Sequence, residues 1–249
     1  MRRVSSTMIS ENSIRYIQQN MQRAARLQEQ LAAEKTILRP SDNPRQVSHV
    51  MAVKSTMDRN QQYMRNIDDG LAYLNQGDTA LGTISEILRD VKTKALQGAN
   101  DTLDSDDRNA IAEQIDKQID ALVDLGNSSL GGKYLFAGKK NGQPPFYRDP
   151  NTGYIYYRGD TQRVSREIVF GSSYEVDAAG VTEHNSAEVG VFGKLADPSD
   201  PAYQIDDPLN PGQKMTRVIG GPLEALARVR DSLSNNDIEA IDQCLADLD

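Results

Sequence analysis

Between residues 14 and 31 a three-four spacing, Ile14, Ile17, Met21, Ala24, Gln28, Leu31, draws one narrow stripe along a helix. Gln18, Gln19, Gln22, Arg23, Arg26 and Glu29 make much of the remaining surface polar, so the stripe has no partner in its own segment. Arg39-Pro40 disfavours helical dihedrals and removes an N–H, which ends the helix near Leu38. Asn43 then reads as an N-cap and Pro44 as the first residue of a second helix. No further Pro occurs until well past residue 98, so this helix would run for about 80 Å. From residue 64 its seam reads Met64, Ile67, Leu71, Leu74, Asp78, Leu81, Ser85, Leu88, then drifts to Ile84, Ile87, Val91 and Ala95. That seam is expected to pack inside the chain, on a third helix and on the C-terminal helices.

The third helix begins with Ser105 as its expected N-cap, carries Ile111, Ile115, Ile119 and Leu122 on one face, and ends at Gly126-Asn127. With the second helix it should form an antiparallel hairpin. Gly, Pro and aromatics then crowd the chain, and Tyr154–Tyr157 and Val164–Phe170 read as strands separated by Gly159-Asp160 turn chemistry. Helical spacing returns as Leu223, Leu226, Val229, Leu233 and continues as Ile238, Ile241, Leu245, Leu248. The expected fold is mainly α with a β-rich insertion (α+β), an elongated antiparallel helical bundle or coiled-coil rod carrying a small β domain. Its parts are an N-terminal assembly helix over 1–43, a discontinuous rod over 44–137 and 217–249, and a β-rich outer domain over 138–216.

Composition agrees with a thin core. The chain of 249 residues is 38% hydrophobic and has no Trp; counting Gly and omitting Tyr still leaves it below the roughly 45–50% of compact domains. No stretch approaches the ~18 apolar residues of a membrane span. The net charge of −8 argues against a general nucleic-acid binder. Charge is segregated: residues 1–60 carry +5 and the remainder −13. The Arg- and Ser-rich start has neither an apolar h-region nor a cleavage site, and its amphipathic pattern outruns a presequence, so it reads as a mature helix. Arg2, Arg3, Arg15, Arg23 and Arg26 form a solvated face rather than a lipid or nucleic-acid site.

Candidate chemistry is sparse. Asp149, Asp160 and Glu167 lack any motif that would make an acid–base pair and read as turn and surface residues. Asp197, Asp200, Asp206 and Asp207 lack calcium-loop spacing. His49 and His184 are isolated, and Cys244, the only cysteine, falls between Ile241 and Leu245 as a small packing residue. One Cys excludes an internal disulfide framework, and with two His it argues against a His/Cys metal site. There is no P-loop, dinucleotide fingerprint, nucleophile elbow or HExxH. Neither an enzyme nor a cofactor is expected.

Four segments together resemble the flagellin superfamily, and within it the hook–filament junction subunits. They are the Met1-Arg2-Arg3-Val4-Ser5 start with Met8, Leu38-Arg39-Pro40-Ser41-Asp42-Asn43-Pro44, Leu103-Asp104-Ser105-Asp106-Asp107-Arg108, and Gly132-Lys133-Tyr134-Leu135-Phe136-Ala137-Gly138 with Pro145-Phe146. Beyond residue 147 the resemblance is architectural only. It implies a structural adaptor between hook and filament, exported through a type III apparatus with a cytoplasmic chaperone, and located outside the cell. Its partners would be copies of itself, hook-associated protein type 1 and flagellin, with no nucleic acid and no membrane. It also implies a C-terminal helix returning along the first one, which these residues do not contain; a fragment and a short gene product both fit. Ile14, Ile17, Met21 and Leu31 are the expected assembly contacts, and Pro40, Asn43 and Pro44 the expected hinge. Alternatives are a filament flagellin and a cytoplasmic coiled-coil scaffold.

Overall fold

The helix α1, Ser6–Ala33, contains neither Pro nor Gly and stops where Glu34 takes a φ of 51°. In the computed structural model, residues 6–34, 44–100, 103–237, 240–241 and 243–244 are described. Two compact units divide the chain, Met1–Gln62 and Tyr63–Asp249. The helix α2, Pro44–Gly98, is unbroken over 55 residues. Thr79, Thr83, Ser85 and Thr93 turn their hydroxyls back to carbonyls four residues earlier at 2.9–3.1 Å, which keeps these polar side chains compatible with a helix.

In the second unit α2 pairs with α3, Ser105–Gly126, as the expected antiparallel hairpin: Arg108 bonds back to Gly98 and Gln118 to Asp90. The N-cap of α3 is Asp104, not Ser105; its carboxylate accepts the Asp107 N–H at 2.9 Å, and Ser105 is already helical. One residue earlier suits the cap because the side chain must reach the N3 amide. Arg108 is 4% exposed and fastens the closed end. Its Nε donates to the Gly98 carbonyl at 3.0 Å, one terminal nitrogen to Asn100 O at 3.1 Å, and the other to Asn236 Oδ1. The helix α4, Gly221–Ser234, lays Leu226, Val229 and Leu233 into the same core as Ile115, Ile119 and Leu122 of α3 and Ile84, Val91 and Ala95 of α2. Ile241 and Cys244 join that core, as their spacing with α4 anticipates.

Between α3 and α4 the chain forms ten short strands. β1 (Ser129–Leu130) pairs with β2 (Lys133–Tyr134). β3 (Phe146–Arg148), β4 (Ile155–Tyr157), β7 (Val181–Thr182), β8 (Gly193–Leu195), β9 (Gln204–Asp206) and β10 (Lys214–Ile219) form one sheet in the order β3-β4-β10-β8-β7, with β9 also on β10. β5 (Ser165–Val169) and β6 (Ser172–Glu175) form a separate hairpin. The architecture is therefore α+β, as expected. The two strands read from the sequence exist, but they do not pair with each other: β4 sits between β3 and β10. Tyr157 and Phe146 are buried and must face the core, while β5 is largely exposed, so the two strands serve different layers.

An aromatic cluster joins sheet to helices. Phe192 lies 5.1 Å from Phe136 and 4.7 Å from Phe146, centroid to centroid, and Phe146 lies 5.2 Å from Tyr157. The last residue of α3 must be Gly126 here, because a Cβ would stand 2.7 Å from the Phe146 ring. Beside the cluster, Asp116 of α3 binds both Arg148 of β3 and Arg230 of α4, tying three elements to one carboxylate.

A second ion pair is largely buried. Asp207 accepts two hydrogen bonds of 2.6 Å from the Arg158 fork. Burial raises this carboxyl, but the Arg158 bonds, with those from Asn210 and the Leu209 N–H, outweigh it and bring it from 3.8 to about 2. A folded value below the unfolded one gives stability that is present above the unfolded pKa and lost as pH falls through the folded value. That contribution amounts to about 2 kcal/mol. Asp207→Asn should therefore destabilise the chain near neutral pH. In denaturant melts its deficit against wild type should close between about pH 4 and pH 2; a deficit independent of pH would contradict this.

Candidate functional site

With 3.6 residues per turn, each residue advances about 100° around a helix, which fixes where every apolar side chain points. In the first unit, Ile14, Ile17, Met21 and Leu31 fall within roughly a third of the α1 circumference. They are 53–77% exposed. Indeed every α1 side chain described is exposed except Gln30. The helix also has a second apolar row that the sequence reading passed over, Ile9, Tyr16 and Leu27, all more than half exposed. Positions 9, 16 and 27 are separated by about two and three whole turns, a signal that was present but diluted by the polar residues between them. The two rows lie about 100° apart around α1 and together cover a little under half of its circumference. Val50, Val53 and Met57 of α2 form a further exposed row in this unit.

In the second unit α2 corrects the sequence expectation. Met64, Leu71 and Leu74 of the predicted seam are 48–60% exposed rather than packed on α3. The buried face is Tyr73, Ala80, Ile84, Val91 and Ala95, with Gly70 and Gly98. Met64 and Ala80 stand roughly 160° apart around the helix. A seven-residue spacing falls behind a straight helix by about 20° per heptad, so the exposed row drifts toward the buried face. Leu81 and Leu88 are accordingly half-buried while Met64 is not.

The expected hinge is only partly within the described residues. Pro44 is the first residue of α2, whereas Pro40 to Asn43, the rest of the PSD-x-P segment, lie outside them, as does the start at Met1. The Gly132–Gly138 motif is a core anchor: it forms β2 and buries Leu135, Phe136 and Ala137.

Most of the carboxylates singled out are engaged in local turns or ion pairs. Asp149 accepts from Asn151 and Thr152, and these hydrogen bonds, led by the Thr152 hydroxyl, lower its pKa. Asp160 accepts the Lys139 and Gln162 amides, and Glu167 accepts Gly171 N–H. Asp197 holds Ser199, Asp200 caps the 3-10 turn at Pro201–Tyr203, and Asp206 of β9 stands opposite Lys214 of β10 in the backbone register. His49 and His184 are exposed, and Cys244 is buried. Among the described residues no group of three or more His, Cys, Asp or Glu could hold a metal, and no helix is long and apolar enough to cross a membrane. The surface that stands out is therefore apolar and helical.

Residues 4–141 match the family described as the bacterial flagellin N-terminal helical region. Flagellar hook-associated protein 3 of Salmonella typhimurium is 26% identical over 185 residues, 74% of this chain and 57% of that protein. A flagellin of Clostridium tyrobutyricum is 23% identical over 140 residues, 56% of this chain and 37% of its own. The chain thus spans little more than half the length of the curated hook-associated relative. The crystal structure of Xanthomonas campestris FlgL (space group C2) shares the fold, with a TM-score of 0.56 at 18% identity over 78% of this chain and 86% of that one.

Proposed function

The chain belongs to the family of the bacterial flagellin N-terminal helical region, and from that membership we propose that it is a structural subunit of the flagellum joining hook to filament. The observation that carries this is α1, a 28-residue helix with two neighbouring apolar rows and no described side chain buried. Such a helix gains stability when neighbouring subunits cover it, because an isolated helix in water is marginal. Ile14, Ile17, Met21 and Leu31 are the assembly contacts in this reading. The linker around Pro40, Asn43 and Pro44 is the hinge between the assembly helix of residues 1–43 and the helical body of 44–137 and 217–249. The β-rich part, 138–216, faces outward.

The mechanism is geometric. Copies that meet through different surfaces extend into a ring or tube instead of closing as a dimer. Hook-associated protein type 1 and flagellin are the proposed neighbours below and above, reached by type III export with a cytoplasmic chaperone. The names of the relatives are those of structural flagellar proteins, which fits the engagement of most candidate carboxylates in turns or ion pairs.

Deleting the gene should leave cells with hooks but few attached filaments, and flagellin in the medium. Normal attachment would remove the reading. A filament flagellin, the alternative, would instead dominate preparations of sheared filaments. The lower coverage of the flagellin relative favours the junction role. A cytoplasmic scaffold would stay inside the cell on fractionation.

A further inference from the structure

Asn141-Gly142 is the only Asn-Gly pair in the chain, and nothing in the fold calls for the glycine. The pair sits in a turn between β2 and β3, with Asn141 half-buried and Gly142 exposed. Gly142 is not among the glycines at positive φ, and a Cβ there would meet nothing within 4 Å. Among the described residues its N–H has no hydrogen-bond partner. The chain on either side is held: Asn141 O accepts the Tyr134 N–H at 3.0 Å, and the Gln143 side chain exchanges hydrogen bonds with Asn210. Asn127, Asn151 and Asn185, also outside the helices, are each followed by a hydroxyl residue, and there the next N–H is engaged. Ser128 N–H donates to Leu125 O at 3.0 Å, Thr152 N–H to the Asp149 carboxylate, and Ser186 N–H to Glu183 O at 3.0 Å. The Asn127 amide is itself held on both atoms by the Phe146 backbone. Of these four asparagines, Asn141 alone is followed by a backbone nitrogen that is both unbonded and unshielded by a Cβ.

We propose that Asn141-Gly142 is a site of spontaneous covalent modification, deamidation through a succinimide, and that the change loosens the hold of β2 on α2. The Gly142 nitrogen bonds to Asn141 Cγ as it loses its proton; the Cγ–Nδ2 bond breaks, and the amide nitrogen departs with that proton as ammonia. Water then opens the five-membered imide. Attack at Cγ leaves aspartate at position 141, whereas attack at the backbone carbonyl carbon leaves isoaspartate, with one more carbon in the main chain. One water enters, one ammonia leaves, and nothing is oxidised or reduced. Asn141 supports β2 through both its backbone and its side chain. The side chain hydrogen-bonds the Tyr73 hydroxyl of α2, and that hydroxyl donates to Tyr134 O of β2 at 3.1 Å. A carboxylate has no proton to donate, so it competes with Tyr134 O for the single hydroxyl proton. It also adds negative charge close to Asp177, a buried carboxylate whose field already reaches Tyr73. The isoaspartyl linkage in addition moves the carbonyl that accepts the Tyr134 N–H.

Peptide mapping by mass spectrometry tests the chemistry on the purified chain, kept warm at mildly alkaline pH. The peptide containing Asn141 should exchange its amide for an acid while those containing Asn127, Asn151 and Asn185 stay intact. Gly142→Ala, which fits the open space, should keep the wild-type melt and suppress the conversion. Equal conversion at Asn185, or undiminished conversion in Gly142→Ala, would overturn the site. The modified chain, separated by its extra negative charge, and Asn141→Asp should each melt about 2–6 °C below wild type. Melts that coincide with wild type would overturn the loosening of β2.

Discussion

Replacing Ile17 and Met21 together by Asp is expected to abolish filament attachment while leaving the stability of the purified chain within about 0.5 kcal/mol of wild type. Both side chains are more than half exposed, so neither supports the folded chain. Covered by neighbours, each would contribute about 1.5–3 kcal/mol, and losing two costs on the order of 10³-fold in subunit affinity before the penalty for burying carboxylates. The measurement is the fraction of cells with attached filaments, beside thermal melts of the purified variant. Gln19→Asp with Gln22→Asp, on a polar side of the same helix, should leave attachment largely intact. Full attachment in the Ile17/Met21 variant would show that the stripe is not an assembly surface. Tyr16→Asp with Leu27→Asp asks the same of the second row.

The largest effect on stability is expected from Phe192→Ala. This ring is 1% exposed, contacts Phe136 edge-on and Phe146 at a tilt, and lies over Gly126 at the end of α3. Removing it deletes the middle of the cluster that joins sheet to helices. A cavity remains because the aromatic neighbours are held by β3 and by the chain beyond β2. A buried Phe→Ala change costs about 3–5 kcal/mol, which for a chain of this size lowers Tm by on the order of 10 °C. Phe170→Ala is the internal control: the same substitution at 82% exposure should move the melt by less than about 0.5 kcal/mol. Equal losses at the two positions would mean that the cluster is not what holds the layers together.

The helical half of the fold was legible because helix signals are local. Pro44 at the start of α2, the Gly126-Asn127 stop of α3 and the leucine spacing of α4 each lie within a turn or two of what they determine. The error at Ser105 was a single residue, since Asp104, Ser105 and Asp106 are all capable caps and only the reach to the Asp107 amide separates them. Misplacing the Met64–Leu74 row has a different origin. Periodicity shows that a face is apolar; it does not show whether the cover comes from the same chain. The β part was the least legible. Its strands are two to six residues long, and their partners are remote: Tyr157 pairs with Thr216, and Arg158 finds Asp207 at a separation of 49 residues.

The sequence by itself therefore determined the helices, the stretch that becomes β-rich, the absence of motif-level chemistry and the resemblance that the family match bears out, all carried by residues close together in the chain. Only the tertiary structure decided which side of α2 is buried, which strands share a sheet, that Arg158 and Arg108 are locked in place by distant partners, and that Phe170 is left bare. Those outcomes depend on contacts made after the chain has folded back on itself. Several side chains there compete for the same covered space, and local spacing does not record which of them obtains it.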